Sequence, residues 1–319
     1  MSALICGSIA FDTVMVFPGR FRDHILPDKI HLLNVSFLAP EMRRNFGGCG
    51  GNIAYSLKLL GGDSHIMATV GHDFAPYRRW LEQCGLDLRY VRELASEFTA
   101  QAYITTDNDH NQINAFHPGA MNYSHQNTVP ADAGITIGII APDGREGMIW
   151  HAAQFAALGI PFIFDPGHQL PLFGGPELRE FVRQASWIAV NDYEGQLLED
   201  RIGKKLEEIA TGVQALIVTR GSAGSTIYAG SKRLEIPAAH VSIVNDPTGC
   251  GDAYRAGLLY GLMHDHDWPT TGRIASLLGA ITVESHGTQN HRFTIAEFRR
   301  RYRESFGESF GESFGESFG

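Results

Sequence analysis

Short apolar runs alternate with segments of helical periodicity along most of this 319-residue chain. Between the runs, segments such as residues 52–60 place their apolar side chains on one face of a helix. Alternating strands and helices are typical of a parallel sheet that is covered on both faces. We therefore predict an α/β fold with a doubly wound, mostly parallel sheet flanked by helices. The runs with the length of buried strands are residues 3–7, 65–71, 135–142, 160–167, 187–192 and 215–221.

Two segments, residues 12–40 and 98–119, depart from this alternation and contain short strand-like pieces joined by turns. They are either ordinary edge strands or the strands of a small separate sheet. We favour the second interpretation, a β-sheet lid formed by two insertions in one α/β domain spanning residues 1–303. The remaining residues, 304–319, repeat ESFG four times. A period of four residues fits neither a heptad nor a solenoid, and we predict an appended tail without chemistry.

Charge and composition exclude several classes of partner. The formal net charge is -9 and no basic block is present, which argues against nucleic acid and anionic membranes as partners. No apolar run approaches the ~18 residues of a membrane span. The N-terminal residues lack the basic region of a signal peptide, and the four cysteines form no C-x-x-C pair. We expect a cytoplasmic protein with free thiols.

Polar residues follow three of the predicted strands at the point where each strand ends. Asp165 ends one strand, Asn191 ends the next with Glu194 one turn later, and Thr219 ends the third before Gly221. In open parallel sheets, ligands bind outside the carboxyl ends of the strands. Strand ends also carry polar turn residues for local reasons, so the alignment of all three is stronger evidence than any one of them.

The stretch NDPTGCGDAYRAGLLYGL, residues 245–262, runs from glycines into a predicted helix. Gly249, Cys250 and Gly251 lie at the helix N-terminus, where backbone N–H groups lack intrahelical partners and the helix dipole is positive. Such a terminus binds anions, phosphate included. Asp252 is then either a first-turn aspartate that stabilises the helix or a general base beside a bound phosphoryl group.

A second glycine-rich stretch, FGGCGGNIAYSLKLLGG at residues 46–62, also leads into a helix. Asn52 is either a plain N-cap or a ligand of polyol hydroxyls, because its amide both donates and accepts hydrogen bonds. Neither stretch matches the P-loop or the dinucleotide-binding fingerprint.

Together these stretches resemble the two diagnostic motifs of the PfkB/ribokinase family of carbohydrate and nucleoside kinases. GSIAFD near the N-terminus, NDYE at 191–194 and TRGSAG at 219–224 also follow the order and spacing of that family. The resemblance covers roughly residues 3–300 and is closest to bacterial adenosine kinase-like nucleoside kinases. It implies a ribokinase-like fold with a β-sheet lid, and an enzyme that uses ATP and Mg²⁺.

The resemblance implies a role for residues on the phosphoryl-transfer side. Asp252 matches the catalytic base, and Gly249, Cys250 and Gly251 match the anion hole for the γ-phosphoryl group. On the nucleotide and metal side, Asn191 and Glu194 match a pair that organises Mg²⁺ and phosphates, largely through water. Thr219, Gly221 and Gly224 match residues beside ATP.

On the acceptor side, Asp12, Gly48 and Asn52 match the residues that bind sugar hydroxyls. Asp246 and Thr248 lie where many members hold a monovalent cation, K⁺ in our expectation.

Four residues are left with two interpretations each. Phe116 and Met121 either contact the acceptor from the lid or pack between lid and core. Arg255 either reaches phosphate or is a solvated helix residue, and we favour the latter. Gln289 either lines the nucleotide pocket or is a turn residue.

The leading interpretation is ATP-dependent phosphorylation of the primary 5′-hydroxyl of a ribonucleoside such as adenosine or inosine. One alternative is a free-sugar kinase acting on ribose, fructose or a sugar acid. Another is a catalytically silent protein that binds a nucleoside or sugar. An exposed lid sheet is also a candidate interface for a homodimer.

Overall fold

The computed structural model describes residues 1–25, 35–109, 111–131 and 134–309. Within these ranges the chain forms a nine-stranded sheet and a separate four-stranded sheet. The predicted fold class, a large and mostly parallel sheet with a small separate one, is confirmed. Residues 26–34 of the first predicted insertion and residues 310–319 of the predicted tail lie outside the described ranges.

The main sheet is parallel except at one edge, where β12 and β13 form an antiparallel hairpin. All six predicted apolar runs are strands in it, whereas β5, β12 and β13 were not predicted. From one edge to the other the strands are β13 (Lys232–Ile236), β12 (Ser225–Ala229), β11 (Ala215–Thr219), β10 (Trp187–Asn191), β9 (Phe162–Phe164), β8 (Ile135–Ile140), β1 (Ser2–Cys6), β4 (Asp63–Gly71) and β5 (Asp87–Leu94).

Helices cover both faces of this sheet, and each face has its own hydrophobic core. In β1, Ala3 and Ile5 join one core while Leu4 and Cys6 join the other. Successive side chains of a strand point to opposite faces, so a strand buried on both faces is apolar throughout. The first core is formed with α1 (Cys49–Leu59), α2 (Ala75–Gln83), α7 (Cys250–Met263), α8 (Trp268–Val283) and α9 (Ile295–Phe306). The second is formed with α3 (Arg145–Leu158), α4 (Gly175–Gln184), α5 (Asp192–Ile202) and α6 (Leu206–Ala210).

The small sheet has the strand order β3 (Glu41–Gly47), β2 (Ala10–Val16), β6 (Ala100–Thr106) and β7 (Gln112–His117). Its β3 lies beyond residue 40, where the first insertion was predicted to end. The sequence did not indicate this strand, because EMRRNFG carries adjacent arginines and no clear apolar alternation. All six residues of the edge strand β7 are exposed. The function of this sheet as a lid, and a homodimer built on it, stay predictions.

The first ESFG copy is helical. It continues α9, which ends at Phe306, and Arg300 donates to Glu304 at 2.8 Å within that helix. Gly307, at φ 71°, ends the helix in the left-handed conformation that glycine adopts easily. The predicted boundary at residue 304 therefore falls inside a helix. None of the helices in the described ranges is long and apolar enough to cross a bilayer.

Candidate active site

The N-terminal turns of α1 and α7 meet at a side-chain contact. Asn52 Nδ2 donates a 2.8 Å hydrogen bond to Asp252 Oδ2, although the two residues are 200 positions apart. The two glycine-rich motifs predicted from the sequence therefore form one site. Asp252 is the third residue of α7, and its carboxylate contacts another element instead of capping its own helix.

The N-cap of α7 is Gly249, whose φ of 80° favours glycine. A Cβ atom at this position would also lie 2.9 Å from Thr288 Cγ2. The Cys250 N–H donates to the Pro247 carbonyl at 3.3 Å, while the N–H groups of Gly251 and Asp252 fall in the first turn, where no intrahelical acceptor exists. The turn therefore presents N–H groups and the positive end of the helix dipole beside Asp252.

Opposing effects act on the proton affinity of Asp252. Burial raises its pKa, and the charge of Asp165 raises it further. The hydrogen bonds from Asn52 and Cys49 and the charge of Arg255 lower it, and the net pKa lies above the ordinary value. A carboxylate held in this way takes up a proton more readily than a solvated one.

Asn52 lies inside α1, so the interpretation as a plain N-cap is wrong. The N-cap is Gly48, at φ 85°, and a Cβ there would lie 2.6 Å from Ser8 O and from Ala10 N. The helix begins at Cys49, which brings Asn52 round to face α7. Gly48 thus shapes the start of the helix that presents Asn52.

Asp12 lies on β2 of the small sheet, next to Asn45 of β3 and Ala102 of β6. Burial raises its pKa to about 6, with further contributions from the charges of Asp252 and Asp246. A cavity of about 360 Å³ opens beside it, between the small sheet and two loops of the main body. Its walls include Asp12, Arg43, Asn45, Ile104, Gln112, Asp246, Thr248, His286 and Thr288.

Phe116 and Met121 are not brought together. Phe116, on β7, is 49% exposed, whereas Met121 is buried against Ala10 and Ala100 beneath the small sheet. The environment of Met121 agrees with the packing interpretation.

Asp246 and Thr248 belong to one tight loop. The two carboxylate oxygens of Asp246 accept hydrogen bonds from the backbone N–H groups of Thr248 and Gly287, each at 3.0 Å. Burial raises the pKa of Asp246, but a hydrogen bond from the Thr248 side chain, these two backbone hydrogen bonds and the charge of Arg43 together outweigh it, and the net pKa is lowered. Among the described residues no group of three or more His, Cys, Asp or Glu side chains could hold a metal ion.

The residues predicted for the nucleotide side share one edge of the main sheet. Asn191 pairs in register with Thr219 at the ends of β10 and β11. Asn191 also forms a capping box with Glu194. The Asn191 backbone N–H donates to Glu194 Oε2 at 2.8 Å, and the Glu194 backbone N–H donates to Asn191 Oδ1 at 2.7 Å. Gly221 and Gly224 follow in the next turn, with φ of 54° and 81°.

Arg255 is 5% exposed, so the prediction of a solvated helix residue is wrong. Its Nη2 donates to Asp165 Oδ1 at 3.1 Å and lies 3.9 Å from Glu194 Oε2. Buried charges need a partner, and here the partner comes from a strand end 90 residues away. An arginine inside the otherwise apolar stretch of α7 was the available signal.

Gln289 is buried in the turn after α8, which agrees with the turn interpretation, and a place in the nucleotide pocket stays a prediction. It accepts a hydrogen bond from Trp80 Nε1 and donates one to Asn52 Oδ1, both at 2.9 Å. Sequence reasoning missed Trp80 and Tyr77, which contact Gln289, because nothing local in α2 marks them.

Residues 12–294 match the model of the pfkB family carbohydrate kinases. The chain belongs to the pfkB family. It is therefore a phosphotransferase.

Similarity within the family is to proteins named nucleoside kinases. This kinase is 33% identical over 261 residues to a nucleoside kinase of Methanocaldococcus jannaschii, covering 81% of this chain and 85% of the relative. The structure of a Burkholderia thailandensis nucleoside kinase in complex with inosine is 51% identical, with a TM-score of 0.88, and the match covers 96% of this chain and 99% of that one. Arabidopsis thaliana ribokinase, at 18% identity and a TM-score of 0.74 over 94% of this chain and 98% of its own, shares the fold.

Proposed function

We propose that this kinase transfers the γ-phosphoryl group of ATP to the primary 5′-hydroxyl of a ribonucleoside, such as adenosine or inosine. The observation that carries the proposal is the contact between Asn52 and Asp252 at the N-terminus of α7. It brings the proposed base and the anion-binding turn together, and the charge of Asp252 acts on Asp12, which lies on the wall of the proposed acceptor cavity. The nucleoside kinases of M. jannaschii and B. thailandensis, the latter bound to inosine, support a nucleoside as acceptor.

Asp252 is the proposed general base. Its raised pKa suits a group that removes the hydroxyl proton as the oxygen attacks phosphorus. The first-turn N–H groups of α7 are placed to stabilise the charge on the transferring phosphoryl group. Phosphoryl transfer requires positioning and charge neutralisation more than covalent chemistry, and these groups supply both.

Asp12 is the proposed anchor of the acceptor. Two carboxylate oxygens can accept from the neighbouring 2′- and 3′-hydroxyls of a ribose, and Asn52 adds an amide. The cavity beside Asp12 falls within the size range of small-molecule sites, and Arg43, Asn45 and Gln112 offer polar groups on its walls.

ATP would lie along the edge formed by Asn191, Thr219 and the turn after β11. Glu194 would hold Mg²⁺ through water while the phosphates supply its other ligands, a common arrangement for this ion. The carboxylates present fit that role, since Arg255 already pairs with Asp165 and leaves Glu194 more weakly engaged at 3.9 Å. Bound Mg²⁺ would neutralise phosphate charge. A K⁺ ion at Asp246 and Thr248 is part of the same proposal.

The Asp252→Asn variant tests the base. We expect ADP release with MgATP and inosine to fall by about 10³, the scale of general-base catalysis, because the amide cannot take the proton. Inosine binding, measured by calorimetry, should persist. Asp200→Asn, which removes an exposed carboxylate of α5, is the control and should keep wild-type turnover.

A panel of nucleosides and free sugars tests the acceptor class in the same assay. Turnover of ribose or fructose alone would overturn the nucleoside assignment and retain the mechanism. Tight binding of an acceptor without any turnover would favour a silent binding protein.

A further inference from the structure

Four side chains form a continuous hydrogen-bonded chain from α2 to the base, in the order Trp80, Gln289, Asn52 and Asp252. We propose that Trp80 and Gln289 are positioning residues that fix which end of the Asn52 amide faces Asp252, and thereby set the proton affinity of the base. The inference rests on the proposed function of Asp252.

Trp80 determines the donor-to-acceptor direction of the hydrogen bonds along these four side chains. An indole N–H donates a hydrogen bond and has no acceptor, so the Gln289 atom 2.9 Å away has to be the oxygen. The Gln289 amide therefore presents its NH₂ group to whatever lies on its other side.

Both hydrogens of that NH₂ group have acceptors. One acceptor is Asn52 Oδ1, at 2.9 Å, and the other is the Tyr77 hydroxyl, which donates its own proton to the Gly47 carbonyl at 2.8 Å. Gln289 is 2% exposed, so a reversed amide would leave several buried polar atoms without partners. The orientation of Gln289 is thus determined by its surroundings.

The orientation of the Gln289 amide in turn determines that of the Asn52 amide. Because its oxygen accepts from Gln289, its NH₂ group points at Asp252 Oδ2, at 2.8 Å. A donor at this distance favours the ionised carboxylate, which is the form that acts as a base. With the amide reversed, oxygen would face oxygen, and only protonated Asp252 could form the bond.

Other groups also act on Asp252 and stay in place when Trp80 or Gln289 is changed. On other elements they are Cys49 of α1, Asp12 of β2 and Asp165 after β9, and on α7 itself they are Cys250 and Arg255. Tyr77 of α2 also lies nearby, but burial raises its pKa and keeps it neutral, so its replacement by Phe removes no charge beside Asp252. A change at Trp80 therefore isolates the contribution of the amide chain.

The pH dependence of kcat with saturating MgATP and inosine tests the inference. In Gln289→Glu the carboxylate accepts from Trp80 and from Asn52, so Asn52 turns its oxygen toward Asp252. We expect the acid limb to move up by about one to two pH units, the scale of one hydrogen bond to a charged group. Trp80→Phe, which adds no charge, should move it the same way by a smaller amount.

Tyr77→Phe is the matched control. It also removes a hydrogen-bond partner of Gln289, but it leaves the Trp80 donor and the direction of the chain intact. We expect lower thermal stability in this variant and an acid limb at the wild-type position. A shift in Gln289→Glu without one in Trp80→Phe would show an effect of charge alone and overturn the inference.

A readout without turnover separates this inference from the proposed function. The signal of the Asp252 carboxyl can be assigned in ¹³C NMR by comparison with Asp252→Asn. We expect it to titrate at the lowest pH in the wild type and Tyr77→Phe, at a higher pH in Trp80→Phe and at the highest pH in Gln289→Glu. Equal titration in all four proteins would overturn the inference, even if the enzyme phosphorylates inosine. The expected order in a protein that turns over no acceptor would support it and count against the base role.

Discussion

Asp12 shows how single residues of this site are held at a cost in stability. Its carboxylate is largely removed from water and lies near the charges of Asp252 and Asp246, which together raise its pKa to about 6. Such an arrangement disfavours the ionised form in the free protein, although it suits the proposed binding of a ligand with hydroxyl donors. The proposed function and the stability of the protein therefore oppose each other at this position.

Asp12→Asn should stabilise the free protein in a pH-dependent way. Between about pH 4 and pH 6 the folded wild type holds more protons than the unfolded chain, so its stability falls as pH rises through this window. The amide avoids this loss. Above pH 6 we expect the free energy of unfolding of Asp12→Asn to exceed that of the wild type by about 2 kcal/mol, and this difference should disappear toward pH 4.

Urea unfolding at about pH 5 and about pH 8 measures this difference. Asp63→Asn, at an exposed position at the start of β4, is the control. An Asp12→Asn variant with the same stability difference at both pH values would contradict the prediction.

Among the elements, those buried on both faces were predictable from the sequence. The strands from β8 to β11 are nearly continuous apolar runs because helices cover both sides. β5 and β13 carry charged residues on exposed positions and gave no such signal. The glycine motifs were found because their local chemistry is distinctive.

The partners of the site residues could not be predicted in the same way. Arg255 lies in a helix whose residues are buried nearly all round, so helical periodicity could not indicate which neighbour it faces. Gln289 contacts Asn52 and Trp80, both more than 200 positions away. Such contacts depend on how the helices pack, and a single sequence does not show that.

The start of α7 offers a test at the level of the element. Gly249→Ala places a Cβ at φ 80° and 2.9 Å from Thr288, at the turn proposed to bind the phosphoryl group. Gly203→Ala, at the C-terminus of α5, has a φ of 77° and nothing within 4 Å. Both should lose about 1 kcal/mol of stability to the left-handed backbone, but only Gly249→Ala should lose tenfold or more in kcat/KM for ATP.

Thermal unfolding of the two variants measures the loss of stability, and steady-state kinetics measures kcat/KM for ATP. Equal activity in both would mean that the turn at Gly249 is structural and does not bind phosphate.

On the scale of the whole molecule, the site is divided between two sheets. Asp12, Ile104 and Gln112 reach the cavity from the small sheet, whereas Asp246 and His286 reach it from the main body. A ligand that contacts both walls would hold the small sheet against the main one. This division is the structural basis for the predicted lid.

Hydrogen exchange with and without inosine measures such closure. We expect amides of β6 and β7 to exchange more slowly when inosine is bound, because the ligand bridges the small sheet to the core. The edge strand β5 of the main sheet serves as an internal reference and should not change. Equal protection of β7 in the free and bound protein would argue for a fixed sheet.

Two thiols flank Asp252, the proposed base, since Cys49 begins α1 and Cys250 begins α7. A helix N-terminus ordinarily promotes the thiolate, but burial and the nearby Asp252 charge raise the pKa of both residues instead. Peroxides and alkylating agents attack the thiolate, so both cysteines are held in their unreactive form. Burial, with the Asp252 carboxylate as the second cause, thereby disfavours the thiolate form that oxidants attack.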